Sequence, residues 1–383
     1  MSEFTKHYRI FISAAEPSAD AHCANLIAAI KNKCKSIEFI GAGGPKMDAA
    51  GCELLENTVE KASMIYNALA NITYFHRLIK RIRQYFADNK VDLVIVCDSP
   101  AFNFHVAKAA KEAGIKTLFY VAPQLWAWGA WRIGKLRKTC DKLCCILPFE
   151  QEWFSSRGID TVFVGNPLLD KLDNLESDFK QRAASHKSRA TKIALMPGSR
   201  EAEMESLWKP MQEIALALKK KYPELKFVTV ALNQDRRSNL ESMQIPGFQC
   251  EYAIDSVKKT AGSVDFTIVA SGSATLEVAS AGCPMAIMYQ SSPILWHLMG
   301  KRLIKTKYLS LVNILAGNEL VPEFMPYFRS IDPIIKSIDS ILKDSDKREQ
   351  ISTSLRELTE PLATKTAREE VAKNVMEMLN IQI

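Results

Sequence analysis

Short apolar runs alternate with amphipathic stretches along almost the whole chain, the pattern of α/β architecture built on parallel sheets. In the first half, the runs at 8–13, 38–41, 93–97, 117–121, 143–147 and 162–165 read as strands. Residues 170–191 break the pattern: they are polar and mixed in charge, as expected of a linker or helix between domains. A second series begins at Lys192, with strands at 193–196, 226–231, 266–270 and 285–289 and helices at 201–221 and 274–281. Two further helices, at 332–343 and 365–379, close the chain. The predicted fold is α/β, with two doubly wound Rossmann-like domains facing a cleft. The first domain covers 1–170 and the second 191–345, while helices within 346–383 pack back on the first domain or on a partner subunit.

Length agrees with two domains, since 383 residues is long for a single core. With 47% hydrophobic and 24% charged residues, the composition is that of an ordinary globular protein. The longest uncharged apolar runs fall far short of the ~20 residues that span a bilayer. No signal-peptide apolar region follows the N-terminus, so a cytoplasmic protein is expected, one that can still lie on a membrane surface. The balance of 50 basic and 43 acidic residues gives +7, which permits nucleic acid, anionic lipid or phosphorylated substrates and selects none.

Nine cysteines are scattered without paired ligand spacing, and Cys140, Cys144 and Cys145 form the only cluster. Small buried thiols in a reducing compartment explain them. None of the six histidines has ligand spacing with a carboxylate, so neither a metal nor another cofactor is expected.

Candidate chemistry gathers where strands end. Asp98 directly follows the run Leu93–Cys97, which places it at the carboxyl rim of a buried parallel strand, where open α/β sheets bind ligands. A carboxylate there is a candidate general base. After the strand at 193–196 come Gly198, Ser199 and Arg200, then a helix; backbone amides and a guanidinium there suit a phosphate, and a plain capped turn is the alternative. The turn Ser271, Gly272, Ser273 repeats this arrangement, with Glu277 one helical turn later for ribose hydroxyls or simply as a solvated acid. Glu16, Ser18 and Asp20 follow the first strand and could line the rim of the first domain, with Ser18 equally suited to capping a helix.

Three segments mix apolar and cationic residues. Ile72, Phe75, Ile79, Ile82 and Phe86 lie at helical spacing among Arg77, Lys80, Arg81 and Arg83, a pattern that usually packs on its own core. Trp126, Trp128 and Trp131 stand beside Arg132, Lys135, Arg137 and Lys138; Trp296, Leu298 and Met299 stand beside Lys301, Arg302 and Lys305. Together they favour a lipidic, anionic substrate or an anionic membrane surface. A nucleic-acid binder would need its cations in one stripe with stacking aromatics, and here they flank apolar clusters.

Taken in order, AEPSAD at 15–20, GAGGPKM at 41–47, DSPAFN at 98–103, WAW at 126–128, ILPFE at 146–150, VGNPLLD at 164–170, LMPGSREAE at 195–203, ASGSATLE at 270–277 and YLSLVNILAGNELVPEF at 308–324 resemble the lipid-A-disaccharide synthases. These are glycosyltransferases of the two-domain GT-B type, and the resemblance runs from about Arg9 to the last helix. It implies that UDP-2,3-diacylglucosamine donates its sugar to 2,3-diacylglucosamine 1-phosphate, giving the β-1,6 lipid A disaccharide 1-phosphate and UDP, with inversion and without a metal. The resemblance further implies that Asp98 deprotonates the acceptor and that Arg200, Ser271, Gly272, Ser273, Glu277 and Asn313 belong to nucleotide-binding segments. A cytoplasmic enzyme held peripherally on the inner membrane of a Gram-negative cell, and a possible homodimer, would follow. The chain departs from the family pattern at Ala15 and Ala19 (usually glycines), Ala101 (an aspartate), Asn166 (a histidine), and Gln290 and Asn318 (arginines). Those last two departures leave open a GT-B transferase for another donor or lipid acceptor. A non-catalytic lipid-sugar binder would be expected to lose Asp98 or Arg200, and both are kept.

Overall fold

Every residue of β4 (Leu93–Cys97, sequence LVIVC) is buried. A strand apolar on both faces needs helices on both, and that is the setting of a parallel sheet. The computed structural model describes residues 7–60, 68–170, 191–297, 304 and 306–382. The predicted linker at 171–190 lies outside them, as do Leu298, Met299, Lys301, Arg302 and Lys305 of the third apolar-basic segment.

The chain divides into two units, Met1–Asp170 with Leu362–Ile383, and Lys171–Pro361. In the first, seven strands form one sheet: β1 (Tyr8–Ala14), β2 (Ile37–Gly43), β3 (Glu53–Asn57), β4, β5 (Lys116–Tyr120), β6 (Lys142–Cys145) and β7 (Thr161–Phe163). Their order is β3-β2-β1-β4-β5-β6-β7, and every pairing is parallel. The second unit has six strands, β8 (Lys192–Met196), β9 (Lys226–Ala231), β10 (Glu251–Ile254), β11 (Phe266–Ala270), β12 (Met285–Met288) and β13 (Glu323–Phe324). Their order is β10-β9-β8-β11-β12-β13, again parallel throughout. Each unit is therefore doubly wound, and its strand order reverses once, between β1 and β4 in the first sheet and between β8 and β11 in the second. The three strands not anticipated, β3, β10 and β13, are sheet edges whose side chains are mostly half-exposed.

One face of the first sheet carries the helix Pro17–Lys33 and the last helix, Ala367–Leu379. Leu26 and Ile30 of the former share a core with Val371, Val375 and Met376 of the latter. Asp170 fixes the start of that last helix, accepting hydrogen bonds from the Ala367 and Arg368 amides at 2.6 and 3.1 Å. The expected tail of 346–383 is thus divided: the helix Ser345–Ala363 belongs to the second unit as far as Pro361, and only Leu362 onward joins the first. The opposite face is aromatic, with Phe11 meeting Phe86 edge-on at 5.0 Å and Phe104 near Phe119 at 5.9 Å.

Phe86 belongs to the helix Ala68–Asp88, where Leu78, Ile79 and Ile82 are also buried while Arg77, Lys80, Arg81 and Arg83 are exposed. Its apolar stripe, among the described side chains, packs on its own core; the side chain of Ile72 is outside them. In the second unit Trp208 is buried, donating its indole N–H to the Leu240 carbonyl at 2.9 Å and meeting Phe248 edge-on.

Candidate active site

Two sets of candidate groups emerge, one at the strand-order reversal of each sheet. In the first unit, β1 and β4 are paired with Ala14 opposite Cys97, so the segments that follow them, Ala15–Asp20 and Asp98–Asn103, leave the sheet side by side. The Ser99 hydroxyl donates to the Glu16 carboxylate at 3.2 Å across this boundary. Asp98 and Ser99 both adopt left-handed backbone, with φ of 51° and 43°, and Val121, directly after the neighbouring strand β5, has φ of 66°. A left-handed non-glycine residue costs roughly 1–2 kcal/mol, and a β-branched one is rarer still. Three at adjoining strand ends mark a rim whose geometry is imposed by its surroundings, as is common where function fixes the backbone.

The polar groups proposed from sequence for this rim divide into two kinds. Glu16 is half-buried and Ser18 is exposed, so both are accessible. Asp20 is buried, and its carboxylate accepts three backbone N–H bonds, from Gly44, Lys46 and Met47 at 2.9 to 3.0 Å. It anchors the turn after β2 and does not reach outward as an acceptor ligand. Gly44 is required there, because a Cβ would meet the Asp20 carboxylate at 2.6 Å. His22, two residues further along the same helix, lies 6.3 Å from the Tyr120 ring, and its pKa is lowered to about 4 by burial and by Lys46, which keeps the imidazole neutral.

Trp126 is fixed by Glu150, which accepts its indole N–H at 2.9 Å and the amides of Ile146 and Leu147 at 3.2 and 3.1 Å. Burial pushes the Glu150 carboxyl up to about 7 despite these donors. The tryptophan segment continues outward: Trp128 is 44% and Trp131 75% exposed, with the Arg132 guanidinium over both rings at 5.0 and 4.9 Å. That is an aromatic and cationic surface.

In the second unit, Met196 at the end of β8 pairs opposite Val269 of β11, so the turns 197–200 and 271–273 adjoin. The first is already capped. Glu203 accepts the Ser199 and Arg200 amides at 3.2 and 3.3 Å, and Gly198, with φ of 103°, leaves no room for a Cβ beside that carboxylate. The amides expected to take a phosphate are occupied by Glu203, and the exposed Arg200 guanidinium also pairs with that carboxylate at 3.4 Å. The second turn is more open: Ser271 is half-buried, Gly272 and Ser273 are exposed, and a Cβ on Gly272 would meet nothing within 4 Å. Glu277 lies behind it, its carboxyl raised to about 7 by burial and by Asp255, against the opposing effect of Lys258.

Asn313, expected near the nucleotide, is fully buried and saturated. Its amide donates to the Val321 carbonyl and to Glu323 at 2.8 and 3.0 Å, and its oxygen accepts the Leu320 and Val321 amides. With two donors and two acceptor positions used, it holds a loop and has nothing left for a ligand. Glu323 gathers the same loop through the Leu309 and Ser310 amides and the Ser310 hydroxyl. Of the residues where family arginines were expected, Gln290 holds the Phe328 backbone and Asn318 is exposed. The roles of Glu203, Glu323 and Asn103 are not anticipated from the sequence, although all three lie inside the motifs quoted above; the acid of Glu203 at the third helical position was the available signal. Among the described residues no group of three or more His, Cys, Asp or Glu could hold a metal ion, and no helix is long and apolar enough to cross a membrane.

Comparison with known proteins adds independent findings. A family model described as lipid-A-disaccharide synthetase matches residues 10–376. The lipid-A-disaccharide synthase of Geobacter sulfurreducens is 33% identical over 386 residues, covering 100% of both chains. That of Myxococcus xanthus is 30% identical, covering 97% of each. Among solved structures, a Staphylococcus aureus MnaA–UDP complex aligns with a TM-score of 0.62 at 13% identity over 98% of both chains. Anabaena Alr3699/HepE with UDP and glucose aligns with a TM-score of 0.52 at 12% identity, over 98% of this chain and 100% of that one. At such identities these structures bear on the fold alone, and that fold is GT-B.

Proposed function

The chain belongs to the lipid-A-disaccharide synthetase family, and from that premise we propose a metal-independent, inverting transfer with Asp98 as its base. The enzyme is a glycosyltransferase that makes the lipid A disaccharide. UDP-2,3-diacylglucosamine is the donor and 2,3-diacylglucosamine 1-phosphate the acceptor. Asp98 takes the proton of the acceptor 6-hydroxyl, whose oxygen forms a bond to the donor's anomeric carbon. The bond from that carbon to the UDP oxygen breaks, and UDP leaves with the electron pair.

The observation that carries this reading is the position of Asp98: a carboxylate held in a left-handed turn at the end of β4, where the strand order reverses. Glu16 and Ser18 adjoin it as acceptor-side groups. In the second unit Arg200 supplies positive charge for the departing diphosphate, while Ser271, Gly272 and Ser273 offer an open turn with two hydroxyls. Glu277 suits ribose hydroxyls. The exposed Trp128 and Trp131 with Arg132 between them support attachment to the anionic face of the inner membrane, where both acylated substrates reside.

Incubating the purified protein with the two acylated substrates and excess chelator tests the reading. The expected result is disaccharide 1-phosphate and UDP in equal amounts, seen by mass spectrometry. Protein that binds UDP but yields no disaccharide, with or without added divalent cation, would contradict it.

A further inference from the structure

Asn103 is fully buried on the helix Pro100–Glu112, one turn beyond the candidate base. Its amide nitrogen donates to the carbonyls of Cys97 at 2.9 Å and Asp98 at 2.7 Å. Its oxygen accepts the hydroxyl of Ser13, itself buried on β1, at 2.7 Å. The orientation of this amide is fixed by its partners, because two carbonyls can only accept and so require the nitrogen.

The Asp98 backbone is thereby held on both sides. Its N–H donates to the Tyr120 carbonyl at 3.1 Å, and its carbonyl is held by Asn103. Left-handed backbone at two successive non-glycine residues is unfavourable, and Pro100 further disfavours the right-handed helical alternative for Ser99. Loss of the Asn103 bonds to the Cys97 and Asp98 carbonyls would remove a restraint on this turn, and relaxation of the Asp98 φ away from the left-handed region would change the direction of its side chain.

We infer that Asn103, held in place by Ser13, is a positioning residue that sets the aim of the Asp98 carboxylate through the Asp98 carbonyl. The inference rests on the reading of Asp98 as the base. It concerns residues that touch no substrate: a core contact spanning β1, β4 and the following helix that governs a rim carboxylate.

The test compares Asn103→Ala, Asp98→Asn and the double variant. A misdirected base costs on the order of 10²-fold in rate. Asn103→Ala is therefore expected to lower kcat by about that factor with both KM values and UDP affinity within roughly threefold of the unaltered enzyme. Because Asn103 acts through Asp98, the double variant should be no slower than Asp98→Asn alone. Multiplying losses in the double variant would overturn the inference, since a merely structural role slows both backgrounds alike. An unchanged kcat for Asn103→Ala beside an inactive Asp98→Asn would overturn it and leave the base in place. Full turnover of Asp98→Asn would instead remove the reading on which it rests. If Asn103→Ala melts too low to assay, Ser13→Ala carries the same test, with a kcat about 3- to 10-fold lower at unchanged KM expected and an unchanged kcat overturning the inference.

Discussion

Replacing Asp98 with asparagine lowers turnover by on the order of 10²–10⁴-fold, the usual contribution of a positioned general base, while UDP affinity stays as it was. The exchange is nearly isosteric and tests the chemistry cleanly. Asparagine tolerates left-handed backbone better than most residues, so the φ of 51° at this position does not oppose it. The backbone bonds that hold the turn, to Tyr120 and from Asn103, involve main-chain atoms of residue 98 and survive. What is lost is the capacity to take a proton. Turnover equal to that of the unaltered enzyme would eliminate Asp98 as the base.

The second large effect is on stability. Asp20→Ala removes the acceptor of three backbone N–H groups, those of Gly44, Lys46 and Met47, in a place water does not reach. Hydrogen bonds to a charged group contribute about 1.5–3 kcal/mol each and are not additive, and unsatisfied buried amides add their own penalty. A loss of about 3–5 kcal/mol in denaturant unfolding is expected. Whatever protein remains folded should keep its KM for the acceptor within about threefold, because the carboxylate faces inward. A stable variant with a KM raised tenfold or more would return Asp20 to the acceptor site.

These two aspartates show what the sequence could and could not reveal. Asp98 directly follows β4, and Asp20 lies in the first turn of the helix that follows β1, each in a motif with small neighbours. Their apolar runs located both strands, because β1 and β4 are central, with β4 buried throughout and β1 from Ile10 onward. It missed β3, β10 and β13, whose edge positions leave most of their side chains half-exposed and their pattern weak. Nothing in the order of residues distinguished a carboxylate that anchors a neighbouring turn, such as Asp20, from one at the rim, such as Asp98. That difference depends on which amides the fold brings within 3 Å. The same holds for Asn313, which lies in a nucleotide-like segment yet spends all its hydrogen bonds on its own loop. Glu203 is the converse case: a helix N-terminus reads as an anion site until the chain's own carboxylate is found in it.

The configuration of the new glycosidic bond tests the central claim most directly. A base at Asp98 that delivers the acceptor oxygen straight to the anomeric carbon inverts it, so an α-linked UDP donor must give a β-linked disaccharide, read from the anomeric proton coupling of the product. An α-linked product would mean net retention, which a single backside displacement cannot give, and would contradict the mechanism.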